Sequence, residues 1–177
     1  MAHAHRTHPV DVGEARTGGL RGGPGRLALL PLRVFLGATF LYAGLQKLTD
    51  PAFLAAGGKG SLGALLGQVH GSAALPQLVE LAQRSPVAFG YAVAGGEVLV
   101  GIGTLLGLLG RLAALGGALI SLTLWLTVSW PATPYYYGND LAYLMAWTPL
   151  VLAGAPGFSL DAALANRRRR HGTRLYG

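Results

Sequence analysis

The sequence contains no cysteine, which excludes disulfides, iron–sulfur clusters, thiolate zinc sites and dithiol relays. Any electron transfer through this chain therefore needs a borrowed cofactor or carrier. Charge is also scarce: Asp, Glu, Lys and Arg make up 12% of 177 residues, against roughly 25% in soluble domains. So thinly charged a chain does not read as an ordinary water-facing globule. No histidine falls in its long apolar segments, so a membrane haem held by two histidines is not expected. His3, His5 and His8 lie in an N-terminal tail without carboxylate or thiol support, and no metal site is expected there. That tail also lacks the charged, apolar and cleavage regions of a signal peptide.

What is present is apolar and small. Hydrophobic residues make up 51% of the chain and glycine accounts for 28 positions, with a mean hydropathy of +0.43. Small residues let transmembrane helices approach closely. A helix needs about 20 mostly apolar residues to cross a ~30 Å hydrocarbon core, and four segments reach or approach that length: 27–48, 87–109, 112–130 and 140–155. The fourth is the shortest and contains Pro149. Pro31 falls in a first helical turn, where its missing N–H costs little. The expected architecture is all-α: a polytopic membrane protein, a four-transmembrane-helix bundle over 26–160, flanked by a disordered tail at 1–25 and a basic tail at 161–177. The first outer loop, 49–86, is too long for a plain connector. Its SLGALLGQVH and LPQLVELAQRS carry apolar residues at helical spacing, which predicts one or two short helices lying on the outer face or capping the bundle.

The net charge of +7 comes from arginines in short segments beside apolar runs. That pattern orients a membrane protein and does not point to nucleic acid. With four spans, Arg6, Arg16, Arg21, Arg26, Arg111, Arg167 to Arg170 and Arg174 share one side, and Lys47, Lys59 and Arg84 the other. Both termini are thus expected in the cytoplasm, with the chain in a bacterial-type cell membrane.

Within the spans, Arg33 and Glu97 are the charges that need explaining, because each costs about 2.5–3.5 kcal/mol in lipid on insertion scales. Arg33 lies about 9 Å, and Glu97 about 18 Å, above the cytoplasmic ends of their helices. An outward-pointing arginine could span the difference, so an Arg33–Glu97 contact is open but not forced; Arg33 could equally snorkel to headgroups. Arg33, Gly37, Gly44 and Lys47 stay on one broad helical face, with Tyr42 and Gln46 near its outer end. Lys47 reads either as part of this inward stripe or as an interfacial anchor. Trp125, Trp130, Tyr135, Tyr136, Tyr137, Tyr143 and Trp147 all fall in the outer half. They form an aromatic belt on one reading and a stacking surface for a planar ligand on the other.

Three passages together resemble a known family. RVFLGATFLYAGLQKLTDP resembles the opening helix of the DoxX/DoxD family, with its G-x-x-K-L pattern at Gly44 to Leu48. GEVLVGIGTLLGLLGRLAALGGALISL resembles the second and third helices, with Glu97 as the intramembrane acid and Arg111 at the tight turn. GNDLAYLMAWTPLVLAGAPGFSLDAAL resembles the last helix and the S-L-D segment, here Ser159, Leu160 and Asp161. The resemblance spans about 27–165, and the long outer loop is similar to the DoxD type, the small subunit of thiosulfate:quinone oxidoreductase. It implies electron transfer from thiosulfate to membrane quinone in partnership with a second subunit.

On this reading Glu97 and Arg33 are the candidate catalytic residues, and Lys47, Gln46, Tyr42 and Trp125 the candidate quinone-facing residues. No covalently bound cofactor is expected, and membrane quinone is the expected electron acceptor. The lipid bilayer, a second redox subunit or soluble enzyme, and further copies of the chain are the expected partners. The alternatives are a noncatalytic scaffold that gathers soluble enzymes through its basic tail, and a small transporter using the Arg33/Glu97 line.

Overall fold

The computed structural model describes residues 27–154 and 159–161. The expected tails, with His3, His5, His8 and Arg167 to Arg170, lie outside the described residues, as do 155–158. Among the described residues the fold is all-helical. Its elements are α1 (Leu30–Thr49), α2 (Leu62–Val69), α3 (Pro76–Gln83), α4 (Pro86–Leu106), α5 (Gly110–Thr127) and α6 (Asn139–Ala153), with one 3-10 turn at Tyr135–Tyr137. Prolines open α1, α3 and α4, at positions where a backbone N–H has no helical partner to lose. Ser61 caps α2 by accepting a hydrogen bond from the Ala64 N–H at 3.2 Å. Gly107 ends α4 in the left-handed region at φ +64°, where a Cβ would be strained.

The four long helices pack in the cyclic order α1, α4, α5, α6. Along α1, Gly37 faces Leu105 and Gly101, whereas Gly44 faces Ala94 and Val98, so α1 and α4 run antiparallel. The contact is backbone to backbone: a Cβ on Gly44 would lie 2.6 Å from the Ala94 carbonyl, and one on Gly101 would lie 2.5 Å from the Leu41 nitrogen. On the other side of the core, Gly117 of α5 lies flat against the Trp147 indole of α6. Leu36, Phe40, Val100, Ala114, Trp147 and Leu150 fill the centre. Phe40 stands edge-on to Trp147 at 5.0 Å and to Tyr143 at 6.0 Å. These last two aromatics are thus core, not belt, because they lie one turn apart on the α6 face turned toward α1.

Helices α4 and α5 are long and apolar enough to cross a membrane, with mean hydropathies of 1.5 and 1.3. Only 33% and 22% of those apolar windows are buried, which distinguishes them from the core helices of a soluble protein. Leu99 (73% exposed), Leu112 (62%) and Leu119 (54%) would face water at high cost. By the same criterion α1 and α6 do not qualify. The first is diluted by Arg33, Gln46 and Lys47, and the second has 15 residues interrupted by Pro149.

Between α1 and α4, α2 and α3 form a cap around their own small core of Leu62, Leu66, Val69, Val79 and Ala82. The N–H groups of Ala74 and Leu75 donate to the Leu126 carbonyl at 2.9 and 3.3 Å, tying the cap to the end of α5. At the far end of the molecule Asp161 latches the α4–α5 turn. Its two carboxylate oxygens accept hydrogen bonds from the Leu109 and Gly110 N–H groups, each at 3.0 Å, meeting the positive end of α5. Asp161→Ala should therefore cost about 1 kcal/mol, the usual worth of an N-terminal cap; a lowered thermal midpoint of the detergent-solubilised protein would register it.

Candidate functional site

Glu97 is 3% exposed, near the middle of α4. Both of its oxygens accept hydrogen bonds from the Lys47 ammonium, at 2.8 and 2.9 Å. Lys47 is therefore the partner that Glu97 finds, and not Arg33. The reason lies in helix geometry: side chains lean toward the N-terminus of their helix. From the C-terminal end of α1, Lys47 leans back into the molecule, toward Glu97. Arg33 leans the same way, which from near the N-terminal end carries it away from Glu97, and its guanidinium reaches toward the Leu105 carbonyl at 3.5 Å. Arg33 is buried beside Gly107 at the end where Ser159 and Asp161 also lie.

A third charge completes the loop-side cluster. Asp140, at the start of α6, interacts electrostatically with both Lys47 and Glu97 and accepts a short hydrogen bond from the Ser129 hydroxyl. Lys47 and Asp140 are the charged residues in the wall of a cavity of about 500 Å³. The rest of the wall is almost wholly apolar. The cap contributes Phe53, Leu62, Leu66 and Val79, and α4 contributes Phe89 and Val93; on α5, Ile120, Leu124 and the hydroxyl-bearing Thr123 and Thr127 close it. Its volume lies within the roughly 300–1,000 Å³ of small-molecule sites, and an apolar wall with a few convergent polar groups is their usual chemistry. Such a site suits a planar, apolar molecule with an oxygen acceptor directed at Lys47.

The residues singled out from sequence distribute unevenly around it. Lys47 lines the cavity and Glu97 holds it from behind. Tyr42 (72% exposed) and Gln46 point outward from α1, and Trp125 packs against Trp130 at 5.6 Å. Arg33 is at the opposite end of α1. Asp140 and Ser129 were not visible as site residues. An acid opening a helix reads as a partner for the helix dipole, and nothing in the sequence reports that the α5–α6 loop folds Ser129 onto it. His70 and Glu80 make an exposed pair in the cap at 3.5 Å, of a kind worth little.

An all-helical fold among the described residues, with apolar helices left largely unburied around a partly buried ion pair and an apolar chamber, has the make-up of a membrane protein. The chain belongs to the DoxD family: it matches the family described as TQO small subunit DoxD over residues 28–174. Comparisons with curated proteins and with solved structures returned no match.

Proposed function

We propose that this protein is the membrane subunit of a thiosulfate:quinone oxidoreductase-like complex, and that its cavity receives the quinone. The four long helices cross the cell membrane, both termini face the cytoplasm, and α2 and α3 cap the bundle on the outer side. A second subunit brings the electrons, since this chain has no cysteine to hold a redox centre. The observation that carries the reading is the apolar cavity with Lys47 and Asp140 in its wall and Glu97 behind. A quinone ring and the start of its tail fit apolar walls, and the Lys47 ammonium can donate to a ring carbonyl. Glu97 anchors Lys47 against the pull of lipid.

The test is titration of the full-length protein in nanodiscs with a short-tailed quinone, read by tryptophan fluorescence. Saturable quenching is expected. Val93→Phe, which fills the cavity, should weaken binding by about 10-fold or more, equivalent to 1.4 kcal/mol. The Lys47→Met/Glu97→Leu double variant should lose about as much, the worth of one hydrogen bond from a charged donor. Thiosulfate-dependent quinone reduction with the partner subunit added should vanish in Glu97→Gln. Absence of saturable binding, or equal binding by Val93→Phe, would sink the quinone site and leave the scaffold role as the better account.

A further inference from the structure

Quinone reduction consumes protons, and a capped apolar cavity has to be supplied with them. Among the described residues, Glu97 and Asp140 are the only carboxylates on the four long helices. The Glu97 side chain is 4% exposed and engaged through both oxygens by Lys47. Asp140 is placed differently. It lines the cavity on one side and on the other is bonded to Ser129, which begins a loop whose Trp130, Pro131 and Thr133 to Tyr137 are exposed. Gly138 makes that juxtaposition feasible, since a Cβ there would stand 2.9 Å from the Ser129 Cβ. Toward the Arg111 end the next carboxylate among the described residues is Asp161, which is bonded to the Leu109 and Gly110 N–H groups. Below Glu97 the buried face of α4 offers Val100, Gly101 and Thr104. The charges facing Asp140 are Lys47 from α1 and Glu97 from α4; α5 contributes the threonines Thr123 and Thr127, and the cap's lining residues carry no charge.

We propose that Asp140, supplied through Ser129, delivers protons to quinone in the cavity, and that these protons are drawn from the loop end of the molecule. This rests on the quinone reading above. Two thiosulfate ions joined into tetrathionate at the partner subunit release two electrons. The quinone takes up those two electrons and two protons, and leaves as quinol. For each proton the Asp140 carboxyl O–H breaks as a quinone carbonyl oxygen gains the hydrogen. The Ser129 hydroxyl, at the start of the exposed loop, then passes in the replacement.

The experiment uses the full chain with its partner subunit. Asp140→Asn should lower thiosulfate-dependent kcat by about 10²-fold, within the range for a lost proton-transfer group. Its quinone Kd and thermal midpoint should stay within about twofold and a few degrees of wild type, because Asn still accepts from Ser129. Azide or formate, small weak acids that enter cavities, should restore much of the rate, and Asp140→Glu should retain it. Ser129→Ala should show the same pattern more weakly. Since the chain has no native cysteine, Tyr136→Cys labelled with an impermeant maleimide reports which side of a proteoliposome the loop faces. A pH dye on that side should register proton loss during turnover. Unchanged kcat in Asp140→Asn, a loss that weak acids fail to rescue, or proton loss on the opposite side would overturn the proposal with quinone binding intact. If wild type fails to bind quinone, the quinone reading itself fails and takes this inference with it.

Discussion

Lys47→Met is expected to destabilise the protein by about 3 kcal/mol or more, and by more than Glu97→Leu does, although the two changes break the same ion pair. The asymmetry follows from reach and exposure. The Lys47 side chain is 25% exposed and Glu97 4%. Without Glu97, the long lysine can swing toward the loop end and keep its ammonium hydrated, and Asp140 remains within electrostatic range. Without Lys47, the short glutamate has nowhere to go and must either stay charged in a poor medium or take up a proton. The double variant should recover most of the loss, because replacing a buried pair with apolar side chains is often neutral or stabilising. Activity should not recover with it. Denaturation of the purified protein in mixed micelles gives the three stabilities. A double variant as unstable as Lys47→Met would show that the pair does more than balance charge.

Gly101→Ala should cost about 2 kcal/mol or more, whereas Gly95→Ala, six residues away on the same helix, should cost nothing or gain up to about 1 kcal/mol. In both cases alanine removes the same flexibility from α4. The difference is what the methyl group meets. At Gly101 it would lie 2.5 Å from the Leu41 nitrogen and 2.8 Å from its Cα, neither of which can rotate away. At Gly95 nothing beyond its chain neighbours and its own turn of helix backbone lies within 4 Å. Helix association in lipid depends on close packing and not on water exclusion, so forcing α1 off α4 removes the chief force holding the pair. It also drags Lys47 from Glu97, so Gly101→Ala should weaken the proposed quinone binding along with stability. Gly117→Ala, against the Trp147 indole, should behave like Gly101→Ala and so test whether α5 and α6 obey the same rule. Thermal aggregation midpoints of the three variants, side by side in one detergent, make the comparison. Equal midpoints would overturn the glycine account.

What the sequence by itself determined is the material of the fold. Long runs of apolar residues with few charges dictate helices, because a chain in lipid must satisfy its backbone internally. The spacing of Arg33, Gly37, Gly44 and Lys47 put them on one face of α1, and Arg33, Gly37 and Gly44 are buried there. The two outer-loop patterns became α2 and α3, and the isolated carboxylate at position 97 announced that it needed a cation. Which cation it takes was decided by tertiary structure. Heights along separate helices left Arg33 in contention, but the antiparallel register of α1 on α4 and the lean of side chains toward helix N-termini gave the ion pair to Lys47. The cavity was equally out of reach from sequence, since its wall gathers residues from positions 47 to 140 that share no local pattern. Asp140 became part of it only because the loop after α5 turns Ser129 back onto the first turn of α6. Local periodicity follows from the backbone's own repeat, so one segment suffices to read it. A chamber exists only between segments, where glycine placement and helix register set which side chains meet.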